Sequence, residues 1–247
     1  MQFISFSFPN IPHVSCIFQT RQGGCSGGPY GQGNIAFNVG DRASDVLENR
    51  SMLLQGLNVA AWAEVNQVHG DRLVLDARAT PLNNPSLVSA DGLATRQPGL
   101  GLLIKTADCQ PVLLTSIYGK HVAALHVGWK GNRIGFIKKA VAEICQHYSL
   151  CPCELAAVRG PSLGPAESEF VNFDREWGQE FNPWWNPGDR TVDLWRLTRD
   201  QLYEAGLAPN NIYSLDICTY ANPELFFSYR RDKPVTGRQA SIIWIGG

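Results

Sequence analysis

Apolar and polar residues alternate through FISFSF at 3–8, the two-residue period of a strand with one face buried. Beyond Ser44 the period changes. Val46, Arg50, Leu53, Leu54 and Leu57 recur at i, i+4, i+7, i+8 and i+11, which predicts a helix over 44–57 with one apolar stripe. Arg50 places a cation inside that stripe. The middle of the chain predicts short strands at 72–76, 100–106, 111–116 and 121–127, each bounded by turn residues. A second helix is predicted over about 135–148, with Ile137, Val141, Ile144, Cys145 and Tyr148 on its buried side. A third covers 192–206, with Gly206 as its C-cap, and SIIWI at 241–245 reads as a final strand. The run GGCSGGPYGQG at 23–33 has too much backbone freedom for an element interior and reads as a loop. Strands outnumber helices without a regular βαβ rhythm, so the expected fold class is α+β. No linker, repeat or low-complexity tract divides residues 1–247, so one domain is expected.

Composition narrows the function classes. The formal net charge is -1 with no long run of either sign, which gives no electrostatic footprint for nucleic acid. LLI at 102–104 and VAALHV at 122–127 are far too short to span a bilayer, so no membrane partner is expected. MQFISFSFPN lacks a positive start, a sustained apolar stretch and a small-residue cleavage site; the expected location is the cytoplasm. Seven cysteines, an odd number at scattered positions, do not resemble a disulfide framework. Cys151-Pro-Cys153 is one residue short of the CxxC spacing and has no second pair, so it reads as loop.

Candidate chemistry gathers at strand ends. Of five histidines, His69 stands in Asn66-Gln67-Val68-His69-Gly70-Asp71 and His126 opens His-Val-Gly-Trp-Lys-Gly, each where a strand-like run meets glycine. Cys109 lies between them, in Thr106-Ala107-Asp108-Cys109-Gln110-Pro111. Two imidazoles and a thiolate make an open zinc site with a fourth position for water or substrate. Without metal, the same residues make a Cys–His pair in which imidazole activates the thiol as a nucleophile. Spacing does not select between the two. Asp108 reads equally as an orienting carboxylate or as a turn former, and Trp129 as a base-stacking ring or as core.

The strings NQVHG, ADGLAT, TADCQPVLL, HVGWKG, GPSLGP and FFSYRRDKPVTGRQASIIW resemble, in order, the signatures of the YfiH or laccase-domain family, from about Arg21 to the C-terminus. Members are described as purine nucleoside enzymes and, earlier, as polyphenol oxidases. The resemblance implies mixed β-sheets packed centrally with helices outside. It implies a metal or catalytic triad at His69, Cys109 and His126, with zinc as the cofactor and copper as a second possibility. It also implies substrate contacts from Asn34 and from Arg50, a cation suited to phosphate. A buried ion pair is the bland reading of Arg50, and a loop turn that of Asn34. Two departures stand out: Asn38 occupies the place of a family histidine before VGD, and AESEF follows GPSLGP, so Glu169 is left outside the site.

Purine nucleoside phosphorolysis is the function this resemblance implies, with adenosine deamination and methylthioadenosine phosphorolysis beside it and nucleosides plus phosphate as the partners. The HxE…PCxxC deaminase signature is absent, so deamination here calls for another constellation. A multicopper oxidase needs far more ligands than five histidines and two methionines provide, and copper at a His-His-Cys site gives at most slow oxidation. A Cys-centred hydrolase editing peptidoglycan precursors and a non-enzymatic zinc protein remain the alternatives.

Overall fold

The apolar runs fold into strands buried on both faces in the computed structural model of the chain, which describes residues 1–83 and 87–246. The strands are β1 (Phe3–Ser7), β2 (Val14–Gln19), β3 (Ala61–Ala63), β4 (Leu73–Val74), β5 (Gly92–Thr95), β6 (Leu100–Thr106) and β7 (Gln110–Ser116). They continue with β8 (Val122–Val127), β9 (Leu155–Arg159), β10 (Trp185–Asn186), β11 (Thr191–Val192), β12 (Ile212–Ser214) and β13 (Gln239–Ile245). The helices are α1 (Ala43–Gln55), α2 (Trp129–Arg133), α3 (Phe136–Tyr148), α4 (Phe173–Glu176), α5 (Leu194–Glu204) and α6 (Tyr229–Asp232).

Two mixed sheets form the centre. One runs β1-β2-β13-β6-β3 and is antiparallel except at the β3–β6 edge. The other runs β12-β9-β7-β8-β5-β4 and is parallel only at its two outer pairs. On β6, Leu100, Leu102 and Ile104 face the space between the sheets, while Leu103 faces the cluster that α1 completes with Leu53. On β8, Val122 and Ala124 face the other sheet, while Ala123, Leu125 and Val127 pack under α3. The result is helix, sheet, sheet, helix: the layered α+β architecture that the resemblance implies.

The differences from expectation are local. The run at 72–76 pairs only at Leu73–Val74. Helix α1 starts at Ala43 on an Arg42 N-cap, one residue before the predicted Ser44. Its buried stripe takes Asn49 in place of Leu54, because Asn49 binds the glycine-rich loop through the Cys25 N–H, Ser26 Oγ and the carbonyls of Gln32 and Asn34. Tyr148 is half-buried because its hydroxyl reaches Asp76. The stretch from Phe170 to the start of α5 carries short elements around an aromatic cluster of Phe170, Phe173, Trp177 and Phe181, a region for which the sequence predicts no element.

Candidate functional site

Antiparallel pairing brings two of the three predicted residues together. Cys109 closes the turn before β7, and β8 runs back beside it with His126 opposite Pro111. His69 comes from the loop after β3, with a left-handed φ of 59°. Such a conformation is uncommon outside glycine, although histidine tolerates it better than most residues, and here a buried anion holds the loop in place. The carboxylate of Asp91 accepts the backbone N–H groups of Val68 (3.2 Å), His69 (2.9 Å) and Gly70 (2.7 Å). It also lies 2.8 Å from His126 Nδ1, and its own carbonyl accepts the His126 N–H at 2.7 Å. Asp91 is fully buried just ahead of β5, so one carboxylate fixes both histidines.

Because a carboxylate only accepts, His126 donates from Nδ1 and leaves Nε2 for Cys109 or a metal. Cys109 Sγ lies 3.8 Å from His69 Nε2, and the two imidazole rings stand nearly perpendicular with centroids 4.8 Å apart. One donor atom from each of the three residues falls within 4.8 Å of the others. The site grades from a buried His126 through a half-buried Cys109 to an exposed His69, so one side is open to ligand. This donor set fits a divalent zinc ion, and the Asp91–His126 contact is the outer-shell carboxylate such histidines usually have.

The electrostatics favour a charged pair in the metal-free protein. Burial raises the Cys109 thiol, but the neighbouring charge of His126 and hydrogen bonds from both histidines outweigh it and bring it down to about 6. Burial lowers His126, yet the thiolate of Cys109 and the carboxylate of Asp91 carry it up to about 9. Burial also raises Asp91, and its bonds to His126 and to the Gly70 and His69 N–H groups bring it below the ordinary carboxylate value.

The triad lines a cavity of about 1080 Å³, large enough for a nucleoside and an anion together. Arg50 borders this cavity, but its guanidinium is not offered to a ligand. It pairs with buried Glu64 and donates to the Ile35 carbonyl, while Lys105 pairs with the other Glu64 oxygen. The bland reading of Arg50 is therefore the structural one, with only its Nε left unpaired. Asn34 is corrected further. It is fully buried outside the cavity lining, and its amide is spent on Ala36, Asp41 and the Arg238 N–H.

Asp108 does not orient a histidine. Its oxygens accept Thr219 Oγ1 and the Arg230 N–H, and Asp91 has the orienting place. Trp129 does both things the sequence allows: it lines the cavity and leans on Phe170 and Trp177. Glu169 borders the cavity while paired to Arg190, and Asn38 lines it where the family carries histidine. Asp91, Glu64 and Arg238 escaped sequence reasoning. Only Asp91 carried a usable signal, an acidic residue opening the apolar run of ADGLAT. The other three histidines lie elsewhere: His147 pairs with Asp76, His121 packs on Tyr148 at the opposite end of β8, about 16 Å away by strand rise, and the His13 ring lies against Gly119 in the turn before that end. No helix of the described residues is long and apolar enough to cross a membrane.

Residues 15–246 match the family described as multi-copper polyphenol oxidoreductase laccase. The purine nucleoside phosphorylase YfiH of Escherichia coli is 34% identical over 250 aligned positions, covering 96% of each chain. The purine nucleoside phosphorylase of Haemophilus influenzae is 32% identical, covering 95% of this chain and 96% of its own. Among solved structures, protein NMB0706 of Neisseria meningitidis superposes with a TM-score of 0.86 at 30% identity over the full length of both chains.

Proposed function

The chain belongs to the multi-copper polyphenol oxidoreductase laccase family, and on that footing we propose that it is a purine nucleoside phosphorylase acting at His69, Cys109 and His126. The observation that carries this reading is the convergence of the three donors in a cavity that cations border: Arg50, Lys105, Lys130, Arg230, Lys233 and Arg238 against Glu64, Asp108, Glu169 and Glu176. Phosphorolysis breaks the C1′–N9 bond of the nucleoside and forms a C1′–O bond to phosphate, releasing purine and ribose 1-phosphate. The site must therefore hold an anion beside an oxocarbenium-like carbon and accept the charge of the departing base. A net-positive cavity open on one side to substrate serves both ends.

His69, Cys109 and His126 would hold a zinc ion, which supplies a Lewis acid where substrate enters. Asp91 keeps His126 in the Nδ1–H tautomer, which leaves Nε2 as the donor. Trp129, which lines the cavity, is the ring on which a purine would stack. Adenosine deamination and methylthioadenosine phosphorolysis belong to the same proposal. The copper chemistry of the family description has weaker support, because the remaining histidines cannot join the triad to build a trinuclear cluster.

One observation favours a second reading. A Cys109 thiolate facing protonated His126 is also the resting state of a Cys-centred hydrolase. The experiment that tests the first reading incubates purified protein with inosine, adenosine and methylthioadenosine, with and without phosphate. Phosphate-dependent release of base with equimolar ribose 1-phosphate is the expected result. Absence of any phosphate-dependent base release from all three nucleosides contradicts it.

A further inference from the structure

Phosphorolysis needs a cation that is free to grip phosphate. Arg50 and Lys105 both pair with Glu64, Lys130 lies by the Trp129 ring, and Lys233 is exposed. Arg230 and Arg238 each spend only Nη1, Arg230 on the carbonyls of Glu167 and Glu169. Of the two, Arg238 is the one whose backbone a buried side chain, Asn34, holds; it stands immediately before β13 and lines the cavity half-buried. Its Nη1 donates to the carbonyls of Thr236 (2.9 Å) and Gly237 (2.8 Å), which turns the guanidinium in a fixed direction. Among the described residues, Nε and Nη2 have no hydrogen-bond partner. These two atoms form the side-on edge of the guanidinium, whose parallel N–H groups match two oxygens of a phosphate.

The position is preorganised from behind. The Arg238 N–H donates to Asn34 Oδ1 at 2.9 Å, the buried amide that the family resemblance implied as a substrate contact, and the Tyr229 ring backs the guanidinium with its centroid 5.9 Å away. Arg238 lines the same cavity as Cys109, His69 and His126. Nε and Nη2 are thus open to an oxyanion that enters the cavity.

We infer that Arg238 is the anion subsite of the cavity, its Nε–Nη2 edge binding inorganic phosphate in the space that the triad also lines, with Asn34 as the residue that positions it. The inference deepens the phosphorylase reading and rests on it for the role of the phosphate, though the binding itself can be measured apart from turnover. Arg238 binds tetrahedral oxyanions and Arg50 does not.

The test is equilibrium dialysis with radiolabelled inorganic phosphate on wild type, Arg238→Gln and Arg238→Lys, each run beside phosphate-dependent cleavage of inosine. Arg238→Gln should weaken phosphate binding on the order of 10- to 100-fold, as expected for losing hydrogen bonds to a charged group. The KM for phosphate should rise in parallel, with little change in the KM for inosine. Arg238→Lys, which keeps the charge and loses the edge, should fall between; it carries the test alone if the glutamine variant does not fold. Parental phosphate affinity in both variants, or no phosphate binding by wild type, overturns the inference. If wild type cleaves inosine with phosphate and Arg238→Gln keeps the parental phosphate KM, the subsite is wrong and the phosphorylase reading stands. If phosphate binds through Arg238 but no nucleoside is cleaved, the subsite stands and the phosphorylase reading falls.

Discussion

At the scale of single residues, Asp91 carries more of the site than any residue the sequence singled out for support. It fixes the tautomer of His126 and the left-handed loop at His69 with one buried carboxylate. Asp91→Asn replaces an acceptor with a group that also donates, and it should weaken zinc affinity roughly 10- to 100-fold by competition with a chelator. Unchanged metal affinity would remove Asp91 from the site's support. Arg50 makes the opposite prediction. Arg50→Met leaves Glu64 buried with only Lys105 as partner, so denaturant unfolding should show a loss on the order of 3 kcal/mol. A variant of parental stability with impaired phosphate binding would restore Arg50 as a ligand residue. Cys109 supplies a pH signature. A thiol lowered to about 6 is thiolate above that pH, so alkylation of metal-free protein should stay fast at pH 7 and decline as pH falls through about 6. A midpoint near the ordinary thiol value would contradict the thiolate–imidazolium pair.

At the scale of elements, legibility followed burial. Strands with one polar face and helices with one apolar stripe were readable: β1, α1, α3 and α5 appear close to their predicted bounds. Strands β6, β7 and β8 were readable as apolar runs, but not their facing, because both faces are apolar in a four-layer stack. Strands β3, β5 and β12 escaped because three or four residues carry no period, and their pairing comes from neighbours distant in sequence. The triad was legible for a different reason. Strand ends followed by glycine marked His69 and His126, a break between two apolar strands marked Cys109, and the resemblance implied the same three; neither route could see Arg238, whose role depends on where a carbonyl pair points its side chain. The turn from β8 into α2 offers a test at this scale. A Cβ on Gly128 would lie 2.9 Å from Cys109 Sγ and 3.2 Å from His69 Cδ2, although its φ of -80° suits any residue. Gly128→Ala should therefore keep the fold and its thermal midpoint while displacing the triad, read as lost metal binding and lost turnover. Full metal binding in Gly128→Ala would mean that the triad is looser than described.

At the scale of the whole molecule, the two sheets form the rigid base and the cavity borrows walls from distant parts of the chain. Residues near 37, 69, 109, 129, 170 and 238 all border it, so the site exists only in the folded chain. The central claim is that His69, Cys109 and His126 hold a metal and carry nucleoside phosphorolysis together. Cys109→Ser keeps nearly the same volume but exchanges a thiolate for a far poorer ligand at neutral pH. The direct measurement is zinc content and phosphate-dependent ribose 1-phosphate formation from inosine, both on the same preparations of wild type and Cys109→Ser. The account predicts about one zinc per chain and turnover in wild type, with both lost in the variant. Ribose 1-phosphate formation at the parental rate by Cys109→Ser would contradict it.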